Sequence, residues 1–534
     1  MGASLRALRA LVLLAGFHLL GVLLLAALAA TVVGAESAGL HGPSLLKLLA
    51  VAVVLAVPIV RGMSMLRLPR ADPLPGVPVT EHQEPLLWAA VREIAGQVGT
   101  RAPDEIVLIA DVNAAVTEDA RLLGLRPGTR RLYIGLPLMT GMDEMRLRAA
   151  LAHEMGHYAN LDTRLTPLIR RGRVQLLRTV DTFNERSEAK IAKERAKQEK
   201  KAAKRIAAGK KAKEIDTTGD GATYRAMAKI YTGYGKFYQR STLSGARRQE
   251  LAADLAAVRV AGRDCAGSAL RELNAIGPAH ERYMDSYATL GVDAGLLPPP
   301  GQVFGGLRHF LEARGGELDG LRRELPGEPV DPYDSHPALA ERVARIEALP
   351  GDGLGTRPSR PSLELLADSG ASLIALERAA LTPEAFAMRR LDWEDLVHES
   401  MSHYAGRDAR ELREALAAEG VGSGLAALLD AIDADPAVRG RITDRLPESD
   451  GVAAAATGCA APEFARPVLR RALDRLVTTE LTDRGAARWL LSWSEPATLR
   501  YPSDGFEERL ERAFDAVTAG LPDTGPLRKL VLAP

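Results

Sequence analysis

The chain has 534 residues, with 69 Lys+Arg against 68 Asp+Glu and 46% hydrophobic against 26% charged side chains. That length has room for several domains of ~150 residues, the composition excludes wholesale disorder, and a formal charge of +1 leaves no global field to attract nucleic acid. Two cysteines, Cys265 and Cys459, far apart and in no metal-like spacing, exclude a disulfide framework and a thiolate zinc site, and an aromatic content of 4% disfavours a stacking platform for single strands.

The first predicted element is an uncharged run of Leu, Ala and Val from Ala10 to Gly34, longer than the ~20 residues a helix needs to cross hydrocarbon. A cleaved signal peptide is the rival reading, because Arg6 and Arg9 precede the run and small residues such as Ala35 follow it; that reading would make the protein a secreted one. The run is long for a signal. Leu45 to Val60 is a second apolar run, slightly short of a span, with Lys47 and Arg61 placed to snorkel. Together they predict a transmembrane hairpin within residues 1–67. Arg6 and Arg9 before it and Arg61, Arg67 and Arg70 after it, against only Glu36 and His41 between, place both ends in the cytoplasm. The expectation is a multi-pass cell-membrane protein with a cytoplasmic body.

Pro69, Pro73, Pro75 and Pro78 predict an extended linker over 68–80. A helix follows at Pro85 to Gln97, then short strands at Glu105 to Ala110 and Arg131 to Ile134. The fold class predicted is mainly α with a small β-sheet.

Thr140 to Asp162 reads TGMDEMRLRAALAHEMGHYANLD. Thr140 and Asp143 resemble a capping box, and Asp143 and Glu144 suit the positive end of a helix dipole. On that helix Leu147, Leu151, Met155 and Tyr158 form an apolar stripe, while His153 and His157, at i and i+4, share another face. A tetrahedral zinc site needs that spacing from one helix, with a third ligand from elsewhere and the fourth position left to water. Glu154, beside the first histidine, is then placed to accept the water's proton. The bland alternative is two unmetallated histidines.

Residues 185–213 carry 12 basic and 4 acidic side chains, a solvated helix or partly disordered excursion on one reading, an arm on anionic lipid headgroups on another. Arg248 to Val260 is a further helical pattern in which Glu250 and Asp254 share a face. Glu250 could bind the metal and Asp254 could accept the free N–H of a ligating imidazole, or both could be exposed acids. His398, Glu399 and His403 are spaced by five, which turns the rings about 140° apart on a helix, so they cannot chelate one ion. His82, His280 and His309 are read as ordinary. Beyond about Gly351 the sequence reads as a separate helical domain, 352–534, without an interpretable motif.

Three stretches, HEMGH at 153–157, QELAAD at 249–254 and SHPALAERVARIEAL at 335–349, resemble the M48 family of zinc metallopeptidases, the resemblance covering roughly residues 80 to 350. It implies a zincin-like, gluzincin domain over 81–351, one zinc ion held by His153, His157 and Glu250, and Glu154 as general base. It further implies that His336 and Arg342 lie near the site and stabilise the transition state. Heat-shock-protease-like members carry apolar segments between the HExxH helix and the glutamate, where this chain has its lysine-rich stretch. Prenyl-protease-like members enclose the site in a many-spanned chamber that two helices cannot build. The function implied is a membrane-anchored zinc endopeptidase cutting extended protein segments, in damaged membrane proteins or a regulator. The alternative is a membrane-tethered scaffold or sensor with a structural zinc site.

Overall fold

The computed structural model describes residues 3–64, 74–119, 128–159, 162–208, 211, 215–217, 219–327, 337–351, 353, 359–446 and 461–532. The chain divides into two compact units, residues 1–275 with 320–369 and residues 276–319 with 370–534.

The first unit opens with two apolar helices, α1 (Ala3–Ser37) and α2 (Pro43–Ser64), antiparallel to one another, as the approach of His18 Nε2 to the Met63 carbonyl at 3.3 Å shows. The segments long and apolar enough to cross a membrane are Ala15–Ser37 and Pro43–Val60. Residues 65–73 lie outside the described part of the expected linker. Its second half is not a linker: Gly76–Val79 forms strand β1, antiparallel to β2 (Glu105–Ile109). Pro78 is tolerated because β1 is an edge strand. Helix α3 (Pro85–Val98) lies between them, started by Pro85 and stopped by Gly99 at φ +80, the left-handed conformation that lets its N–H reach back to Ala95. The Trp88 indole donates to the Val79 carbonyl at 3.0 Å and ties α3 to the sheet.

β3 (Ala114–Glu118) and β4 (Arg130–Gly135) complete a mixed sheet in the order β1-β2-β4-β3, with β2 and β4 parallel and the other pairs antiparallel. Ile106, Leu108, Leu132 and Ile134 on the central strands are fully buried. From β4 the chain turns through α4 (Leu136–Gly141) into α5 (Glu144–Ala159), the HExxH helix. All four residues of its predicted apolar stripe are buried, each contributing roughly 1.5–3 kcal/mol of hydrophobic stabilisation. Thr140 is not its cap. Thr140 bonds back to Leu136 within α4, and Asp143 caps α5 by accepting from the Arg146 N–H at 2.8 Å.

Two long helices follow, α6 (Asp162–Ala207) and α7 (Ala222–Ala261). The basic stretch is therefore helical as far as Ala207, with its lysines exposed. Phe17 and Ile59 of α1 and α2 are buried with Leu176 and Phe183 of α6 and Tyr231 of α7 in one cluster. The C-terminal end of α7 meets α8 (Arg263–Tyr283), and α9 (Leu339–Glu347) packs Val343 and Ile346 onto Ala149, Ala257 and Ala269.

The second unit joins 276–319 to the C-terminal region. Glu377, fully buried, accepts from the Val303 N–H at 2.8 Å and from Arg390 at 2.9 Å, and Tyr283, Tyr287, Phe310, Trp393 and Trp493 form one aromatic cluster. Its remaining core is helical, built on Leu412, Leu428, Leu473, Leu476 and Phe514.

Candidate metal centre

Tyr158 fixes α5 against the sheet: its hydroxyl donates to the carbonyls of Thr117 (2.9 Å) and Arg131 (2.7 Å), and the Arg130 guanidinium stacks 4.5 Å above its ring. On its other side α5 touches α7 at Gly156, where an added Cβ would lie 2.9 Å from the Ala253 Cα and 3.3 Å from the Ala256 Cβ. Only a residue without a side chain lets the two backbones come this close. That approach puts Glu250 and Asp254, on the facing side of α7, beside the two histidines.

The His153 and His157 rings lie 5.0 Å apart at 87°. Glu250 reaches both: Oε2 is 3.5 Å from His153 Nε2, and Oε1 is 3.6 Å from His157 Nε2. One potential ligand atom from each of the three residues lies within 4.8 Å of the others. Zinc bonds of ~2.0–2.2 Å in a tetrahedron set ligand edges of about 3.4 Å, so this donor set fits such an ion. Glu250 is buried and both histidines are half-buried, so a bound ion would keep a path to solvent.

Behind these three side chains lies a chain of hydrogen-bonded charged groups. His153 Nδ1 lies 3.0 Å from Asp254 Oδ1, which leaves Nε2 to face Glu250. Arg342, on α9, donates to both oxygens of Asp254, Nε to Oδ2 at 3.0 Å and Nη2 to Oδ1 at 2.6 Å, and its Nη1 is 3.8 Å from Glu250. Burial works against the charge of His153, but hydrogen bonds to Asp254 and Glu250, with the nearby Glu154 carboxylate, raise its pKa to about 9. Burial likewise pushes Asp254 up, and its bonds to His153 and Arg342 overcome that and hold it below the usual carboxylate range. The surrounding carboxylates therefore favour positive charge at His153. Glu154, half-buried one residue after His153, acts electrostatically on both His153 and Arg342.

His153, His157, Glu154, Glu250, Asp254 and Arg342 are thus brought together, whereas His336 lies outside the described residues. His398 and His403 do not join them: His398 Nδ1 accepts from the Trp489 N–H at 3.3 Å and Glu399 pairs with Arg389, within the second unit. Among the described residues no other group of three such side chains could hold a metal ion. An apolar groove of about 420 Å³ beside Gly156, Leu255 and Arg259 lies on the side of α7 turned away from Glu250 and Asp254, and none of the six residues lines it.

Two supports escape the motif reading. Gly156 is one, and its signal was a glycine inside a helix, which costs about 1 kcal/mol relative to alanine unless packing requires it. The other is the segment 359–362, which returns to the start of α5. The Arg360 carbonyl accepts from the Glu144 N–H (2.8 Å), Ser359 Oγ from the Met145 N–H (3.0 Å), and Ser362 bonds to Met139 and Met142. It thereby satisfies two of the backbone donors that a helix start leaves open. Nothing in the sequence of 359–362 announces that contact.

Residues 81–349, half of the chain, match the family model described as peptidase family M48. No curated protein and no solved structure matches the chain.

Proposed function

The chain belongs to peptidase family M48, and from that membership we propose that it is a zinc-dependent endopeptidase that attaches to a membrane and cuts extended protein segments. The observation that carries the reading is the convergence of His153, His157 and Glu250 on one point, with Glu154 adjoining. His153, His157 and Glu250 would hold a zinc ion there, and the ion would supply Lewis acidity to polarise a peptide carbonyl and to make water a better nucleophile at neutral pH.

The chain's own groups do the rest. Glu154 takes the proton of the attacking water and hands it to the leaving amine nitrogen. Asp254 keeps His153 in the tautomer whose Nε2 is a donor of electrons to a cation, and Arg342 holds Asp254 in place as a positioning residue. This differs from the direct role for Arg342 that the family resemblance implies, since two of its nitrogens bond Asp254. His336 keeps the role the resemblance gives it, a donor to the oxyanion as it forms.

Membrane attachment rests on α1 and α2, whose outward faces expose Leu19, Val22, Leu23, Leu46 and Val53. The flanking Arg6, Arg9, Arg61, Arg67 and Arg70 favour the cytoplasmic side for both ends, and with them the metal centre. Substrates are then proteins at or in the membrane, including damaged ones.

Full-length protein in detergent tests the reading on casein, with chelator, with zinc restored, and as Glu154→Gln. Cleavage should stop with chelator, return with zinc, and fall by at least a hundredfold in Glu154→Gln while its zinc content stays unchanged. Cleavage by Glu154→Gln at the wild-type rate contradicts the base assignment, and a zinc-loaded wild type that cuts nothing returns the protein to the scaffold class.

A further inference from the structure

The apolar helices do not stand alone in the first unit; α6 packs against both of them. Phe183 stacks on Tyr231, which meets Phe17, and the Tyr234 hydroxyl donates to the Leu13 carbonyl at 2.6 Å. Since α7 passes Tyr231 by Phe17 and then Tyr234 by Leu13, it runs opposite to α1, and α6, antiparallel to α7, runs with α1. The Arg186 guanidinium of α6 bonds the Val54 carbonyl at 3.2 Å, inside the apolar segment Pro43–Val60. From there α6 continues to Ala207, roughly 30 Å further in the same direction at 1.5 Å per residue. That reach exceeds what remains of α2 on that side, from Val54 to Pro43.

If α1 and α2 crossed a bilayer in this packing, α6 would carry Asp181, Glu185, Glu188, Lys190, Lys193, Arg195 and Lys197 through the hydrocarbon at the same depth. All seven are exposed. Charges at that depth are strongly unfavourable unless they face a protein interior or water. The exposed side chains sort into two layers instead. The side of α1 and α2 turned away from α6 is apolar, with Leu19, Val22, Leu23, Leu49, Val53 and Val57 exposed, and the outer side of α6 is charged, its residues 185–207 carrying nine basic and four acidic side chains.

We propose that α1 and α2 lie in one leaflet of an anionic membrane, apolar face down, with α6 as their water-side cover and its lysines and arginines on the headgroups. This rests on the membrane attachment proposed above and replaces the crossing hairpin that hydropathy alone predicts. An interfacial layer of this kind buries an apolar face ~5–10 Å deep and is reinforced by basic residues at the anionic surface. The turn between the helices, around His41, then stays on the same side as both ends of the chain.

Cysteine accessibility in intact cells tests this on the full chain, with Cys265 and Cys459 replaced by serine. Single cysteines are placed in the turn (His41→Cys, and Ala38→Cys as an independent second site) and on the α6 arm (Lys193→Cys), and a membrane-impermeant maleimide is added before and after permeabilisation. The proposal expects the protein in the membrane fraction and all three cysteines labelled only after permeabilisation. Labelling of the turn in intact cells with Lys193→Cys still protected means that the pair crosses the bilayer, and overturns the one-leaflet arrangement while leaving attachment intact. Recovery of the protein in the soluble fraction overturns attachment and this proposal together.

Discussion

Arg342 and Asp254 are the pair whose proposed role is most open to a direct test. A guanidinium bonded to a buried carboxylate at 3.0 and 2.6 Å has the planar, two-bond geometry that lysine cannot reproduce. Arg342→Lys should therefore weaken zinc affinity about 10–100-fold, as loss of an outer partner of a metal ligand does, while kcat at saturating zinc changes little. Competition with a fluorescent chelator measures the first and casein turnover the second. Unchanged zinc affinity with a hundredfold lower kcat would instead make Arg342 a direct donor to the reacting oxygen. At this scale the sequence was readable where chemistry is local. His153, Glu154 and His157 lie within one turn and a half of helix, so spacing alone places them. Asp254 and Arg342 are 88 positions apart and meet only because α9 docks on α7, which no local pattern encodes.

The elements that hold the centre give two further tests. Helix α5 can approach α7 only because residue 156 is glycine, with Ala253 and Ala256 opposite. In an exposed helix Gly→Ala gains up to about 1 kcal/mol, and Gly96→Ala on α3, where an added Cβ meets nothing within 4 Å, should raise Tm. Gly156→Ala should do the reverse, and Gly156→Val should destabilise by about 1–3 kcal/mol and lose zinc, because Ala253 moves with the Glu250 turn. Differential scanning calorimetry with metal analysis reads both, and a stabilised Gly156→Ala would show that the approach is not tight. The second test concerns the return segment at the start of α5. Burial raises the Glu144 carboxyl, but the guanidiniums of Arg360 and Arg148 outweigh it and hold it below its ordinary 4.5. A depressed folded value stabilises the fold above that ordinary value, and the contribution is lost as pH falls through the lower, folded one. Glu144→Gln should thus lower Tm at pH 7, with the deficit against wild type closing below pH 4.5. A deficit that stays constant down to pH 3 would mean that the ion pairs contribute nothing. The sequence anticipated α3, β2, β4 and α5 because each has its own start, stop or periodicity. It missed β1 because a proline-bearing edge strand takes its hydrogen bonds from a neighbour, and it missed the cap at Asp143 because Thr140 three residues earlier offers the same pattern.

For the molecule as a whole, membership in the M48 family spans residues 81–349, and the mainly helical architecture with a small sheet follows the sequence pattern. The grouping of 276–319 with the C-terminal residues was not legible, because it depends on one buried carboxylate, Glu377, and on aromatic residues scattered from Tyr283 to Trp493. The apolar helices were legible as apolar, but their partner α6 was not, since its buried side is a short stripe of Leu176, Val180 and Phe183 in an otherwise charged helix. All of the proposed chemistry still depends on one cation bound between α5 and α7. Elemental analysis of the full-length protein, purified with zinc present and then freed of loose metal, measures that directly beside Glu250→Ala. One zinc per chain in the wild type and its loss in Glu250→Ala are the predicted results; a wild type without zinc, or a Glu250→Ala variant that keeps it with unchanged affinity, would contradict the account.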